Sequence, residues 1–171
     1  ILYKIPVSPY AKAYIKKKGI KENVRLYRRQ KAVLTLDIHD FFGSIKLYRV
    51  YRLLSELGYN EAVDMMLTGL CSLDNELPQG APTSAALSNI VMKEFDGTIA
   101  KYTGENKIRY TRYSYDMTFS GDFNLVDVIR LVRRELKKYG MRLNDEKTRT
   151  RRQGQQQEVT GIIVNEKMQL P

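Results

Sequence analysis

Ile108-Arg109-Tyr110-Thr111-Arg112-Tyr113-Ser114, then Tyr115-Asp116, then Met117-Thr118-Phe119-Ser120 reads as two strands of a hairpin joined by a tight turn. The run is rich in Tyr, Thr, Ile and Phe, which suit a pleated, half-buried surface. Downstream, Asn124 is placed to cap a helix whose Leu125, Val128, Ile129, Val132, Leu136 and Tyr139 share one face, with Gly140 as its stop. Short strands are expected around Met141–Asn144, Thr148–Arg152 and Val159–Val164. Upstream, Thr83 or Ser84 is expected to cap a long helix ending near Gly104, after a Leu77–Pro82 loop. Ala32–Ile38 is a short apolar run of the kind a buried strand shows. Helical spacing of Leu47, Val50, Tyr51, Leu54 and Leu57 before Gly58, and a second periodic run from Asn60 toward Cys71, predict two helices between that strand and the loop. Ser8-Pro9 predicts a basic helix through about Lys17, and a second is expected from Lys21 to Gln30.

With the inserted helices set aside, the order is strand, helix, strand, strand, helix, strand. That is the βαββαβ pattern of the ferredoxin-like fold, an α+β class. In that topology the first strand lies beside the third and antiparallel to it. The end of the first strand, with Asp37, then meets the turn that carries Tyr115 and Asp116. Two acids on one sheet edge, surrounded by basic surface, point to a divalent-metal site for phosphoryl transfer.

The 171 residues suffice for one well-packed domain, and the net charge of +10 favours a polyanionic partner. The charge is concentrated at residues 1–31, where only Glu22 opposes the lysines and arginines, and at 130–152. Either block alone reads equally well as a solvated helix face; two blocks flanking a less basic middle favour nucleic acid. Cys71 is the only cysteine and sits in an apolar stretch as core filler, which excludes an internal disulfide and a thiolate metal cage. His39 is the only histidine, which excludes a multi-histidine zinc site. No apolar run approaches the roughly 18 residues of a membrane span. Ile1-Leu2-Tyr3-Lys4 lacks both a methionine and signal-peptide organisation, as if cut from something longer.

Four segments, Leu36–Ile45, Leu77–Asn89, Arg112–Ser120 and Gly140–Arg149, resemble in order the motifs of reverse transcriptases of the bacterial retron type. Leu36-Asp37-Ile38-His39-Asp40-Phe41-Phe42-Gly43-Ser44-Ile45 is similar to the first palm motif, and Leu77–Asn89 to the second almost letter for letter. Arg112–Ser120 aligns with the third, usually Tyr-Ala-Asp-Asp, and Gly140–Arg149 with the fourth. Val159-Thr160-Gly161 resembles a retron triplet, and Asn23-Val24-Arg25-Leu26-Tyr27 loosely resembles an upstream Asn-Ala-x-x-His element. The resemblance implies a polymerase palm at residues 32–171, with fingers helices inserted at about 46–76. Residues 1–31 would be a basic, helical part of the fingers. The N-terminal fingers hairpin and the thumb would lie before Ile1 and after Pro171, outside the chain.

The resemblance also implies roles. Asp37 would bridge two Mg²⁺ ions with help from Asp116 and the backbone carbonyl of Ile38. Backbone groups of His39, Asp40 and Phe41 would lie near the triphosphate, with the His39 side chain non-catalytic. Phe42 would be the sugar gate that selects deoxynucleotides. Gln79 and Gly80 would touch the nucleotide and template base, and Lys147 would assist the pyrophosphate leaving group. Taken alone, Asp37 is a strand-end carboxylate in a turn, Phe42 a core neighbour of Phe41, Gln79-Gly80 a plain turn and Lys147 a solvated lysine; the ordered motifs favour the functional readings. The implied partners are dNTPs, an RNA template and primer, the DNA product and a cognate structured non-coding RNA, in a bacterial cytoplasm, with some relatives serving phage defence.

One position departs from the family. Tyr115 stands where the first aspartate of the third motif, the main metal ligand, belongs. A phenol with pKa near 10 is neutral at pH 7 and a poor bridge for two ions about 3.5–4 Å apart. Two expectations therefore compete: an RNA-directed DNA polymerase with an impaired metal site, and a catalytically silent nucleic-acid-binding scaffold on the same fold.

Overall fold

The computed structural model describes residues 2–16 and 18–166. Its elements are α1 (Ile20–Arg25), β1 (Ala32–Ile38), α2 (Leu47–Ser55), α3 (Glu61–Leu70), α4 (Pro82–Val91), α5 (Lys93–Glu105), β2 (Arg109–Tyr113), β3 (Asp116–Ser120), α6 (Leu125–Lys138), β4 (Leu143–Arg152), β5 (Glu158–Val159) and β6 (Ile162–Ile163). Strands β1 to β4 form one antiparallel sheet in the order β2-β3-β1-β4, which is the ferredoxin-like arrangement. The hairpin and the first strand form where the residue pattern predicts them.

Alternation along the strands separates two faces. Leu34, Leu36 and Ile38 of β1 join Tyr110, Met117 and Phe119 in a core closed by Phe95 and Ile99 of α5 and Val128, Val132 and Leu136 of α6. On the other face Val33 packs with Val24, Tyr27, Val159 and Val164 in a smaller cluster. Helix α1 and the β5–β6 hairpin thus cover one end of that face. The hairpin turns on Thr160 and Gly161, both at positive φ (50° and 76°), the paired left-handed geometry of a type I′ hairpin turn. Asn23 ties the two covering pieces together: its amide donates to Thr160 Oγ1 (3.1 Å) and its oxygen accepts from Thr111 Oγ1 (2.6 Å). The Tyr27 hydroxyl donates to the Thr118 carbonyl at 2.9 Å. Burial pushes the Tyr27 phenol far above its ordinary value.

Four expectations are corrected. No helix follows Ser8-Pro9 within the described residues, and Lys17 lies outside them. Residues 10–12 run along the β2 edge instead. Arg112 N–H donates to Tyr10 O (2.9 Å) and Lys12 N–H donates to Arg112 O (2.8 Å). An unpaired sheet edge outcompetes local helix signals there, and the Ser8 hydroxyl accepts from Tyr10 N–H (3.2 Å) rather than capping a helix. The second basic helix stops at Arg25, because Leu26–Arg29 turn to bring Tyr27 onto the sheet. The described part of residues 1–31 is therefore mainly irregular rather than helical. The long helix is two: α4 begins at Pro82 with Ala81 at its cap position, and it breaks at Met92, whose side chain is fully buried. Finally, β4 is one strand where two were expected, although its pairing with β1 lapses between Thr35↔Arg149 and Asp37↔Asn144. The bulged residues 145–148 include Lys147.

Candidate active site

Asp37 is the penultimate residue of β1 and is 5 % exposed. Its register partner on β3 is Asp116, so both carboxylates occupy the open face at one end of the sheet. The two-residue turn before Asp116 consists of Ser114, at φ 60°, and Tyr115. Its backbone is tied to β1 by Ile38 N–H donating to Tyr115 O at 3.1 Å. The Ser114 hydroxyl lies 2.9 Å from the Tyr14 hydroxyl.

The bulge in β4 aims Lys147 at this pair. Its Nζ is 3.4 Å from Asp37 Oδ2 and 5.9 Å from the centre of the Tyr115 ring. Partial burial, then repulsion from Asp37, pushes the Asp116 carboxyl from 3.8 up to about 6, against the opposing pull of Lys147. The two acids resist being charged together, so the site has an unmet demand for positive charge at neutral pH.

A cleft of about 640 Å³ is lined by Asp37, Ile38, His39, Asp40, Phe41, Phe42, Gln79, Tyr115 and Lys147. Nearly every residue singled out by sequence therefore shares one cavity. Phe41 is buried, and Phe42 meets it edge-on at 5.2 Å between ring centres and remains half-buried. Gln79 is exposed at the cleft, and Gly80 beside it has φ 91°, a left-handed conformation that favours glycine. Apart from Gly80 itself and its chain neighbours, no atom lies within 4 Å of where a Gly80 Cβ would stand, so open space adjoins it. His39 is exposed and accepts at Nε2 from Arg142 Nη2 (3.2 Å). Asp116 lines an adjoining cleft of about 560 Å³ with Thr35, Thr118, Arg149 and Arg151.

Sequence reasoning missed what holds the turn from behind. Arg112 is completely buried and forks onto Asp96 of α5, with Nε to Oδ1 at 2.8 Å and Nη2 to Oδ2 at 2.7 Å. Its Nη1 donates to the Ser114 carbonyl (2.9 Å) and to Asn89 Oδ1 of α4 (3.3 Å). The signal was present: Arg112 shares strand parity with Tyr110 and therefore faces the core, where a guanidinium requires an acid.

Do these residues suit two divalent ions? Among the described residues no group of three or more His, Cys, Asp or Glu side chains is placed to hold a metal. The open face offers Asp37 and Asp116, with a phenol at 115 and an ammonium on Asp37. Two hard cations sharing carboxylate bridges do not fit this donor set.

Comparison with known proteins adds four findings. A family model described as reverse transcriptase (RNA-dependent DNA polymerase) matches residues 4–164. The chain is 36% identical to the retron Mx65 reverse transcriptase of Myxococcus xanthus, over 96% of its own length and 43% of the relative's. It is 31% identical to the retron Ec86 reverse transcriptase of Escherichia coli, over 97% of the chain and 52% of that relative. It thus spans about half the length of these curated relatives. Among solved structures, telomerase from Candida albicans, in complex with a fragment of telomeric RNA, is similar in fold at TM-score 0.63 and 12% identity, over 96% of this chain and 35% of that one.

Proposed function

Because the chain belongs to the reverse transcriptase (RNA-dependent DNA polymerase) family, and to its retron type, we propose that it forms the palm of an enzyme that extends a primer 3′-hydroxyl with dNTPs on a structured RNA template. The observation that carries this reading is the register pairing of Asp37 with Asp116 beside a cleft walled by Phe42, Gln79 and Lys147. Phe42 stands under the nucleotide sugar and excludes a 2′-hydroxyl. Gln79 offers an amide to the nucleotide and template base, and Gly80 leaves room beside it. Backbone groups of His39 to Phe41 approach the triphosphate, while the His39 side chain is held by Arg142. Lys147, once released from Asp37, donates a proton toward the departing pyrophosphate.

Mg²⁺ supplies the charge neutralisation in this chemistry when it is bound. The Ile38 carbonyl, Asp37 and Asp116 are the oxygens this chain would offer such an ion, one carboxylate short, at position 115, of a set that two ions could share. The chain as it stands therefore binds nucleotide and RNA better than it catalyses. No helix among the described residues is long and apolar enough to cross a membrane. The bacterial retron relatives support a cytoplasmic setting. Tyr115, 38 % exposed and facing Lys147, favours a second reading, a silent scaffold that keeps nucleic-acid binding.

Primer extension on RNA by the full-length protein separates the two. Tyr115→Asp is expected to raise the rate at least about a hundredfold, equivalent to roughly 2.7 kcal/mol of barrier. Asp37→Ala in that background is expected to abolish it. Equal rates from the unaltered protein and from the Tyr115→Asp variant overturn the impairment. Absence of extension from both forms while RNA still binds establishes the scaffold.

A further inference from the structure

Arg112 is among the largest fully buried side chains of the described residues. Burying a guanidinium with a carboxylate is an expensive way to fill a core, since well-packed apolar residues of similar volume are often as stable or more so. What this pair offers beyond volume is direction. The fork onto Asp96 fixes the guanidinium plane, and Tyr110 OH donates to the same Asp96 Oδ1 at 2.7 Å. Asn89, which accepts from Nη1, is itself anchored by donating to the Ala13 carbonyl at 2.8 Å. The fixed plane then points Nη1 at one backbone atom of the hairpin turn, the Ser114 carbonyl oxygen. That carbonyl belongs to the peptide joining Ser114 to Tyr115. Ser114 is a non-glycine residue at φ 60°, a conformation that persists only when its surroundings over-determine it.

We propose that Arg112, clamped by Asp96, is a positioning residue for this turn: by fixing the 114–115 peptide plane it sets where side chain 115 and the Asp116 carboxylate stand relative to Asp37. The functional half of the proposal rests on reading 114–116 as part of the active site; the structural half does not. The turn is gripped from both sides, by Arg112 on the Ser114 carbonyl and by Ile38 N–H on the Tyr115 carbonyl. Releasing the first grip loosens the second.

The Ile38 amide therefore reports the turn. Hydrogen exchange is measured at Ile38 and, as controls on the same core, at Val132 and Leu136 of α6. Arg112→Lys keeps the charge but cannot span both the Asp96 fork and the Ser114 carbonyl. Exchange at Ile38 is expected to accelerate at least about tenfold more than at the controls. Asp96→Asn is expected to shift it in the same direction by less. Equal acceleration at Ile38 and in α6 overturns the proposal, because the pair then contributes only overall stability. So does an unchanged Ile38, and so does loss of the fold in both variants, which would make the pair a determinant of the fold rather than of the turn. A second arm measures Mn²⁺ binding by electron paramagnetic resonance in Tyr115→Asp with and without Arg112→Lys. About tenfold weaker binding with Arg112→Lys is expected. Faster Ile38 exchange without weaker Mn²⁺ binding overturns the link to Asp37 while leaving the grip on the turn intact.

Discussion

Two cation–carboxylate pairs lie on opposite faces of one sheet and act as different devices. On the helix-covered face Arg112 holds both oxygens of Asp96, with neither side chain exposed. On the open face Lys147 touches one oxygen of Asp37 at 3.4 Å, with 61% of its own side chain exposed. The first pair is planar, bidentate and dry, so it cannot exchange partners without leaving a buried charge. The second is a single long contact in reach of water and salt, so Asp37 can trade the ammonium for another cation. Like chemistry is used once to fix a backbone and once to leave a carboxylate available.

The contrast breaks most visibly if the buried acid is removed. Asp96→Ala strands Arg112 in the core and is expected to cost about 3–5 kcal/mol, read from the denaturant midpoint. A loss below about 1 kcal/mol would mean that water reaches the guanidinium and that the two pairs are alike.

A smaller effect concerns pH. The folded value of Asp116, about 6, lies above its ordinary 3.8, so the native state holds this proton longer than the unfolded chain does. Below about 3.8 both states are protonated and nothing is lost; as pH rises from there to about 6 stability falls, and the loss is complete above it. Asp116→Asn is therefore expected to stabilise the protein at pH 8, by about 1 kcal/mol once solvent screening is allowed for, and to do nothing near pH 3. Urea unfolding at the two pH values checks it, and a stabilisation that is larger in acid refutes it.

The smallest expected change sharpens the comparison. Lys147→Met should alter stability by less than about 1 kcal/mol, because the contact it removes is exposed and screened. It should nevertheless raise the Asp116 titration midpoint, since Lys147 is the group that lowers it. Carbon-detected NMR titration of the carboxyl reads this directly.

These contrasts also mark where sequence stopped being informative. The bounds of β1 were legible because its apolar run answers to a single buried sheet position, and the meeting of Asp37 with Asp116 followed from strand order alone. Ile38 to Phe42 were legible at the cleft because they run on directly from Asp37, whereas Gln79 and Lys147 were placed there only through the resemblance of their motifs. Residues 8–16 were misread because their partner is Arg112 in β2, a distant pairing that local cap and proline signals cannot register. The break at Met92 was hidden for a similar reason: it serves the burial of one side chain, and no glycine or internal proline announces it. The Arg112–Asp96 pair joins a strand to a helix, and only strand parity hinted that the arginine faced inward.

The edges of the sheet carry one more consequence. Residues 10–12 cover the β2 side, which leaves β4 as the outer strand among the described residues. Its outer half reads Lys147-Thr148-Arg149-Thr150-Arg151-Arg152, four cations within six positions. A second copy of the protein adding its own β4 there would stack like charges at the 4.8 Å or so between paired strands, a strong disincentive to self-templated growth. The same arginine-rich rim that suits a polyanion thus disfavours edge-to-edge pairing with a second β4.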